Sequence, residues 1–244
     1  MFLKIILKHI LPLFIVTSLT AIPDQHAAGN DYILTQPSDS LLYADDFSTP
    51  KDSITWITEI EQKAGANSSV YTKNGALILN TRGGVTVWFN KLLPGNTRIE
   101  FDRVILVDTG KYDRLSDYNV FWMAQPSTNG QLPVRNGKFE SYDDLKLYYV
   151  GMGGNTNTTT RFRKYVNAGN KPVIQEYLDA PHLLTANKVY HIAIEVHNGT
   201  TSYWVNGERY FYYEDPSPLL SGYFGFRSTW SRQEIRNFKV YQLK

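Results

Sequence analysis

Arginine and tyrosine side chains concentrate between Tyr148 and Tyr165, in a segment that reads as a strand, a glycine turn, a polar crest and a second strand. Because side chains alternate along a strand, Arg161 and Arg163 are predicted on one face and Phe162 on the other. Two guanidinium groups about 7 Å apart can hold a carboxylate or a sulfate through paired hydrogen bonds. The segment therefore predicts a site for an acidic ligand.

β-Elimination from a uronic acid is the chemistry that these residue types suit best. A lyase must neutralise the C6 carboxylate, remove the C5 proton and protonate the leaving oxygen. Arginine serves the first need, and tyrosine, histidine or lysine serves the other two. A tyrosine base needs its pKa lowered from about 10, and adjacent arginines are predicted to lower it. The predicted catalytic residues are Tyr148, Arg161, Arg163 and His182.

Aromatic and polar residues elsewhere could complete a sugar site. Indole rings stack on the C–H faces of pyranose rings, so Trp88, Trp122 and Trp230 are predicted platforms, although each could equally belong to the core. In the segment Asn119–Ala124, alternation prevents Asn119 and Trp122 from lining one surface without a bulge. The predicted substrate-binding residues are Trp88, Asn119, Trp122, Arg135, Tyr142, Asn155, Arg227 and Trp230.

Several of these side chains also have a structural interpretation. Arg161 and Arg163 could form ion pairs with acidic residues of neighbouring strands on an outer sheet face. His182 follows Pro181 in a polar loop, where a single histidine is usually only solvated. The density of polar and aromatic groups near Arg161 favours the functional interpretation. Those groups are Arg135, Tyr142, Asp143, Asp144, Lys146, Tyr148 and Asn155.

The elements that must position these residues read as strands throughout. Segments rich in β-branched and aromatic residues recur at short intervals, and no helical stripe is present. Asn206-Gly207 and Asn74-Gly75 supply hairpin signals. About eleven strands in one domain must form two stacked sheets, because a single sheet that wide would leave an apolar face in water. The predicted fold class is all-β, a two-sheet antiparallel β-sandwich. The predicted strands are Ala76–Asn80, Val85–Phe89, Arg98–Val107, Asn119–Ala124, Leu145–Val150, Thr159–Val166, Val189–Val196, Thr201–Val205, Tyr210–Tyr213, Tyr223–Ser228 and Ile235–Leu243.

Residues 1–28 are predicted to be a secretory signal peptide, and residues 32–244 a single domain. Lys4 and Lys8 precede an apolar run, Ile10–Leu19, that is shorter than the roughly 20 apolar residues of a membrane helix. The cleavage position and a permanent anchor stay open as alternatives. We expect a secreted or periplasmic bacterial protein without a membrane segment after cleavage.

The overall charge and the absence of cysteine exclude several kinds of partner and of chemical site. The 244 residues include 25 Lys and Arg against 23 Asp and Glu, which gives a formal net charge of +2. Nucleic acid is therefore not expected as a partner. No cysteine is present, which excludes disulfides, thiolate metal sites and thiol nucleophiles. We expect a monomer whose partner is a polysaccharide or oligosaccharide substrate.

Four short motifs mark the chain from its first strand to its last: Asp45-Asp46-Phe47, Asn206-Gly207-Glu208, Ser221–Arg227 and Asn237-Phe238. With them, residues 42–243 resemble the concanavalin-A-like jelly rolls of lectins, glycanases and polysaccharide lyases. More narrowly, the segments Asn119–Ala124 and Tyr148–Tyr165 resemble a secreted YesU-like family of bacterial polysaccharide-utilisation loci. The resemblance implies a jelly-roll fold and complex glycans as targets, without a settled catalytic mechanism.

Hydrolysis is the competing chemistry in jelly rolls of this kind. Retaining glycosidases of this fold class carry Glu-x-Asp-x-Glu or Glu-x-Asp-x-x-Glu on one strand, since two carboxylates must flank the scissile bond. Glu100 and Asp102 match the first two positions, whereas Val104 or Ile105 stands at the third. Inverting hydrolysis by more distant carboxylates stays open; the candidates are Asp143 or Asp144 with Glu176.

None of these chemistries requires a cofactor, and no spacing typical of a zinc site is present. A structural Ca²⁺ could use Asp45 or Asp46, although the same residues equally read as the opening of a strand. The predicted function is cleavage of an acidic, uronic-acid-containing saccharide by β-elimination. A glycoside hydrolase of the same fold and a non-catalytic carbohydrate-binding module are the alternatives.

Overall fold

The computed structural model describes residues 39–125, 130–132 and 134–244. These residues form an all-β, two-sheet antiparallel β-sandwich, which confirms the predicted fold class. The predicted signal peptide, residues 1–28, lies outside the described residues. No helix in the described part of the chain has the length and apolarity needed to cross a membrane.

Thirteen strands make up the described fold, and only short helical turns interrupt them. The strands are β1 (Ser40–Asp45), β2 (Trp56–Ile60), β3 (Ser69–Lys73), β4 (Ala76–Leu93), β5 (Thr97–Leu106), β6 (Tyr118–Ala124), β7 (Leu147–Gly153), β8 (Thr159–Tyr165), β9 (Val173–Tyr177), β10 (Tyr190–His197), β11 (Thr200–Val205), β12 (Glu208–Glu214) and β13 (Gly222–Gln242). The helical turns are Phe139–Tyr142, Gly154–Asn157 and Ala180–His182.

Two long strands, β4 and β13, belong to both sheets. The first sheet has the order β2, second half of β4, first half of β13, β6, β7, β8 and β9. The second sheet places the other half of β13 between β5 on one side and β1 and the first half of β4 on the other. It continues from β5 to β10, β11 and β12, and β3 pairs with β4.

The change of sheet occurs at a corner where the register of β4 and β13 slips. β4 pairs with β3 up to Asn80 and with β2 from Val85 onward, and Gly83 and Gly84 lie between those pairings. Opposite them, β13 has an irregularity at Trp230, whose φ is 45°. The predicted strands on either side of the glycines are thus the two halves of one strand.

Aromatic side chains fill the space between the sheets. Trp122 of β6 stacks on Phe162 of β8 with ring centroids 5.7 Å apart, and Trp56 stacks on Phe226 at 5.9 Å. Burying side chains of this size gives the sandwich much of its stability, at about 25 cal/mol per Å² of apolar surface. Residues 134–146, called here the covering segment, instead pack Phe139, Tyr142 and Leu145 against the outer face of the first sheet.

Candidate functional site

One row of mainly polar residues runs across the outer face of the first sheet. Residues that stand directly opposite each other in antiparallel strands share a face, so the strand pairing assigns the row. Its members, from β2 to β9, are Glu59, Thr86, Arg227, Asn119, Gly151, Arg161 and Glu176. This set is called the polar row below. It unites three predicted site residues: Asn119, Arg161 and Arg227.

A second row, two residues further along each strand, is mainly aromatic. It contains Ile57, Trp88, Gly225, Phe121, Tyr149 and Arg163. The covering segment lies on part of it and leaves Trp88 only 2% exposed. The indole nitrogen of Trp88 donates to Glu59 Oε2 at 2.9 Å. Trp88 is therefore on the predicted face, but it is buried there and offers no open platform.

The hydroxyl of Tyr149 reaches from the aromatic row into the polar row. A Cβ atom added to Gly151 would collide with the Tyr149 hydroxyl and would lie 2.8 Å from its Cζ, so the glycine makes room for the phenol. The hydroxyl thus lies over Gly151, between Asn119 and Arg161. Within the described part of the chain it makes no hydrogen bond.

Burial raises the pKa of Tyr149 well above its usual range, and the negative charge of Asp117 adds to the effect. The guanidinium groups of Arg227, Arg163 and Arg161 act in the opposite direction. The arginines were expected to lower the pKa of a catalytic tyrosine, but here burial outweighs them. The phenol of Tyr149 is therefore protonated at neutral pH, a state suited to donating a proton or a hydrogen bond.

Arg227 and Asn119 lie side by side in the polar row and are 1% and 3% exposed. Arg227 donates through Nη1 to the carbonyl of Gly137, and its guanidinium lies 5.3 Å from the ring of Tyr142. No carboxylate in the described residues forms an ion pair with it. Arg227 Nε and Asn119 Oδ1 are both buried without a hydrogen-bond partner. The pair thus carries a positive charge without an ion-pair partner among the described residues, together with one donor and one acceptor that form no hydrogen bond there.

Asp117, Arg114 and Trp230 continue this face towards the corner of the sandwich. Arg114 forms an ion pair with Asp117 and donates to the backbone oxygens of Thr229 and Trp230, at 2.6 and 2.9 Å. Trp230 is 38% exposed, and the guanidinium of Arg82 lies 3.5 Å from its ring centroid. Trp230 is thus the accessible member of the three predicted platforms.

The two predicted arginines of β8 share a face, as the alternation of the strand indicates. Arg161 Nε forms an ion pair with Glu176 at 2.7 Å, and Arg163 Nη1 donates to the carbonyl of Lys171 at 2.7 Å. The ion-pair interpretation therefore holds for Arg161. Both side chains remain partly exposed, and Arg161 keeps its two Nη groups without a partner among the described residues.

Tyr148 and Trp122 point away from this face, into the sandwich. The Tyr148 hydroxyl donates to Asp215, and Lys164 forms an ion pair with the same carboxylate at 2.6 Å. Trp122 is 1% exposed and donates from Nε1 to Thr201 Oγ1 at 3.0 Å. Strand alternation puts both in the core, so the structure does not bring Tyr148 together with Arg161.

Four other predicted residues lie outside the polar row, two of them within the covering segment. His182 lies beside the edge strand β9, where its ring stacks on that of Tyr177 with the centroids 3.7 Å apart. Its Nδ1 lies 2.7 Å from Asp179 Oδ2. Asn155 is exposed at the tip of the β7–β8 hairpin. Tyr142 is buried and donates to Glu59 at 2.7 Å. Arg135, in the covering segment, forms an ion pair with Asp144 at 2.8 Å.

The carboxylates considered for hydrolysis are held in other interactions. Glu100 and Asp102 lie on β5 of the second sheet, where they contact Arg98 and His191, each at 2.8 Å. The alternative pair is also engaged, since Asp143 contacts Lys171 at 2.6 Å and Glu176 contacts Arg161. No two of these carboxylates face each other across the polar row.

Asp45 and Asp46, the residues considered for Ca²⁺, accept hydrogen bonds from neighbouring groups. Asp45 accepts from the backbone N–H of Phe47 and from Trp56 Nε1, both at 2.8 Å, and Asp46 accepts from the N–H of Ser48 at 2.9 Å. A cavity of about 500 Å³ lies beside them. The described residues contain no group of three or more acidic or histidine side chains arranged to hold a metal ion. The Ca²⁺ site therefore stays a prediction.

A family model described as "Domain of unknown function (DUF6250)" matches residues 79–238, about two thirds of the sequence. The chain belongs to this family. The matched part of the DUF6250 chain runs from β4 to β13 and contains every member of the polar row except Glu59. Comparison with curated proteins finds no significant match.

Solved structures similar to this DUF6250 chain share its fold at low sequence identity. A Bacillus subtilis protein of unknown function with a galectin-like fold is 17% identical, with a TM-score of 0.67 over 83% of this chain and 96% of that chain. The carbohydrate-binding module CBM66 from Bacillus subtilis is 14% identical, with a TM-score of 0.53 over 76% and 94%. An endo-β-1,3-glucanase from Pyrococcus furiosus is 10% identical, with a TM-score of 0.59 over 84% and 94%. These similarities confirm the jelly roll, whereas the narrower YesU-like relationship stays a prediction.

Sequence reasoning missed Tyr149, although a signal for it was present. Outward positions of β7 are Leu147, Tyr149, Gly151 and Gly153, so small residues follow the phenol on its own face. Glycines two and four residues after a tyrosine leave space on the sheet surface for its ring. Because side chains alternate along β7, the same signal would have assigned Tyr148 to the opposite, inward face.

Proposed function

We propose that this protein is a secreted or periplasmic carbohydrate-active protein that binds an acidic, uronic-acid-containing saccharide at the open end of the polar row, where Arg161 is partly exposed and Glu176 is exposed. The position of the Tyr149 hydroxyl carries the proposal. It lies over Gly151, makes no hydrogen bond within the described residues, and is surrounded by the charges of Arg161, Arg163 and Arg227. The jelly-roll neighbours named as a carbohydrate-binding module and a glucanase support a carbohydrate as the ligand.

Recognition would begin at Arg161. Its Nε is held by Glu176, which fixes the plane of the guanidinium and leaves the Nη edge for a carboxylate. The Tyr149 hydroxyl and the half-buried carboxylate of Asp117 can bond the sugar hydroxyls on either side. The nearby Arg227 adds a positive charge that no described carboxylate neutralises. Together these groups favour an anionic sugar over a neutral one.

β-Elimination is the reaction that this arrangement supports best. In it the C5–H bond breaks, its electrons form the C4–C5 double bond, and the C4–O bond breaks. As a phenolate beside the arginines, Tyr149 would take the C5 proton. It would then give the same proton to the leaving oxygen, so one residue acts as both base and acid. Because burial raises the pKa of Tyr149, this route predicts turnover that rises with pH above neutrality.

Binding and cleavage are tested on one set of polymers. Polygalacturonate and alginate are titrated calorimetrically, with carboxyl-reduced polygalacturonate as the neutral control, and each mixture is followed for the absorbance of unsaturated uronates and for new reducing ends. Binding of the acidic polymers with growth of that absorbance supports a lyase. New reducing ends without the absorbance of unsaturated uronates would indicate a hydrolase. Binding without any product would indicate a carbohydrate-binding module.

Variants locate the site in the same experiment. Tyr149→Phe and Arg161→Gln should each weaken binding or turnover, whereas Tyr212→Phe, an exposed phenol on β12 of the other sheet, should change neither. Equal affinity for the acidic polymer and its carboxyl-reduced form would contradict the proposal. So would wild-type affinity in the Arg161 variant.

A further inference from the structure

A fully buried arginine lies in the interior beneath the polar row. Arg103 belongs to β5 of the second sheet and shares its inward row with Tyr190 and Ile235. Its guanidinium donates through Nη1 to the carbonyl of Asn119 at 2.7 Å and through Nη2 to the carbonyl of Arg227 at 3.0 Å. The side chain thus contacts the backbone of two adjacent members of the polar row.

Those two carbonyls lie where a strand leaves the first sheet. Asn119 and Arg227 form the last pair between β6 and β13, and β13 pairs with β5 from Arg232 onward. A buried carbonyl that leaves its ladder needs a donor from elsewhere, because an unpaired one is costly. Guanidinium carries five N–H donors in one plane, so a single side chain can serve both strands.

Gln233 completes the contact with the polar face. Arg103 Nε donates to Gln233 Oε1 at 2.6 Å, and Gln233 Nε2 donates to the carbonyl of Asp117 at 3.2 Å. The backbones of Asp117, Asn119 and Arg227 are therefore all tied to one buried pair of side chains. Each of these three residues directs its own side chain to the outer face of the first sheet, which carries the polar row.

Arg103 is charged in the interior without a carboxylate beside it. No carboxylate among the described residues forms an ion pair with Arg103. Its charge is stabilised by the three hydrogen-bond acceptors and by the rings of Tyr118 and Phe226, whose centroids lie 4.5 and 5.8 Å from Cζ. Burial lowers the pKa of Arg103 to about 10, so the group remains charged at neutral pH. An apolar residue at this position would leave the carbonyls of Asn119 and Arg227 unpaired, so Arg103 stabilises this junction and also fixes its geometry.

We infer that Arg103 is a positioning residue for the polar row. It fixes the point where β6 and β13 separate, and thereby sets the side chains of Asn119 and Arg227 beside Gly151 and the Tyr149 hydroxyl. The inference rests on the proposed function only where binding is measured. The positioning itself is a property of the unliganded protein.

The test compares Arg103→Lys with a matched destabilised variant. Lysine keeps the charge, but its three donors share one nitrogen, so it loses the planar arrangement by which arginine serves both carbonyls and Gln233. We expect the side-chain amide resonances of Asn119 to shift in Arg103→Lys without any saccharide, and the affinity for trigalacturonate to fall about tenfold or more. Ile194→Ala, a core truncation on β10, should lower the melting temperature while leaving those resonances and the affinity unchanged.

A double-mutant cycle separates positioning from general destabilisation. If Arg103 acts through Asn119, the effects of Arg103→Lys and Asn119→Ala on affinity will be less than multiplicative, because the second change removes the group that the first displaces. The corresponding cycle of Ile194→Ala with Asn119→Ala should be multiplicative. Unchanged Asn119 resonances in Arg103→Lys, or multiplicative effects in the first cycle, would overturn the inference.

Two further outcomes are also decisive. If Arg103→Lys does not fold, the side-chain Nε–H resonance of Arg103 in the unmodified protein decides: a shift on adding trigalacturonate supports the inference, and an invariant signal overturns it. If the unmodified protein binds no acidic saccharide, the proposed function fails. In that case the Asn119 resonances of Arg103→Lys, or of a folded Arg103→Gln, still decide whether Arg103 positions the row.

Discussion

Tyr148 and Tyr149 are consecutive residues of β7, and their hydroxyls lie on opposite sides of the first sheet. The Tyr148 hydroxyl donates to Asp215 in the interior and accepts from the backbone N–H of Leu219 at 3.1 Å. The Tyr149 hydroxyl lies over Gly151 on the outer face. One strand thus carries a structural phenol and a candidate functional phenol in adjacent positions.

Phenylalanine substitutions should separate the two roles. Tyr148→Phe removes a buried hydrogen bond to a carboxylate and should lower the free energy of unfolding by about 1.5–3 kcal/mol without changing saccharide affinity. Tyr149→Phe should leave the free energy of unfolding within about 0.5 kcal/mol of wild type, because its hydroxyl has no partner among the described residues. Its affinity or turnover should fall about tenfold. Urea unfolding and calorimetric titration measure the two effects, and the reverse assignment would contradict the proposed site.

Gly151 should be intolerant of a side chain for a functional reason. A Cβ at this position would lie 2.8 and 3.0 Å from Cζ and Cε1 of Tyr149, so Gly151→Ala must push the phenol out of the polar row. We expect a loss of about 1–3 kcal/mol of stability together with a loss of saccharide affinity. Gly154→Ala is the control, because the new methyl would lie 3.0 Å from the hydroxyl and 3.8 Å from the backbone oxygen of Thr159, and near no residue of the polar row. Unchanged affinity in Gly151→Ala would place the saccharide elsewhere.

Glu176 should restrain the binding of acidic ligands. Its ion pair with Arg161 is partly exposed on both sides, so breaking it should change the free energy of unfolding by less than about 1 kcal/mol. Glu176→Gln removes a negative charge beside the Nη groups of Arg161 and keeps an acceptor for Nε, so affinity for an acidic saccharide should rise a few-fold at low salt. Affinity for the carboxyl-reduced polymer should not change. An equal rise for both polymers would show that charge competition is not the cause.

The fold could be predicted from the sequence because its signals are local. Aromatic and β-branched runs predict strands, and Asn206-Gly207 correctly marks the turn between β11 and β12. The corner is harder to predict, since Gly83-Gly84 interrupts the pattern of β4 and reads as a break between two strands. β2, β3 and β9 were not predicted, because these five-residue strands are only partly buried and their apolar alternation is weak.

The site could be predicted only in part, since it depends on strand register. Alternation correctly placed Arg161 and Arg163 together, but it could not show which residue of β7 stands opposite Arg161. That residue is Gly151, which also pairs with Asn119 of β6. These pairings join residues that are distant in sequence, so they cannot be deduced from the pattern of any single strand. Shifting a strand by one residue exchanges its faces, which is the error made in choosing Tyr148 over Tyr149.

Trp230 should report how far the saccharide extends. It is 38% exposed, whereas Trp56, Trp88, Trp122 and Trp204 are at most 7% exposed. Acrylamide should therefore quench mainly the fluorescence of Trp230, and Trp230→Phe should remove most of the quenchable signal. A bound oligosaccharide that reaches from Arg161 past Asp117 to the corner should protect Trp230 from the quencher. If acrylamide quenches Trp230 equally well in the protein saturated with oligosaccharide, the binding site does not extend as far as Arg114.

Asp215 should control the stability of the sandwich at acid pH. Burial alone would raise its pKa, but the hydrogen bonds from Lys164 and Tyr148 outweigh burial and hold the pKa of Asp215 below its ordinary value. A carboxylate whose pKa is lowered by folding contributes stability at all pH values above its unfolded pKa of about 3.9. That contribution is lost as the pH falls from about 4 through the lower pKa of the folded state.

Asp215→Asn should therefore be most destabilising at neutral pH and less so in acid. At pH 7 it leaves the Lys164 ammonium buried without its counter-charge, which should cost about 3–5 kcal/mol. Below pH 4 the wild-type carboxylate also becomes protonated, so the difference in the free energy of unfolding between the two proteins should shrink. Urea unfolding of both proteins from pH 2.5 to pH 7 measures this convergence. A difference that stays constant across the range would mean that Asp215 does not titrate with folding, and that the Lys164 pair is not the source of the lowered pKa.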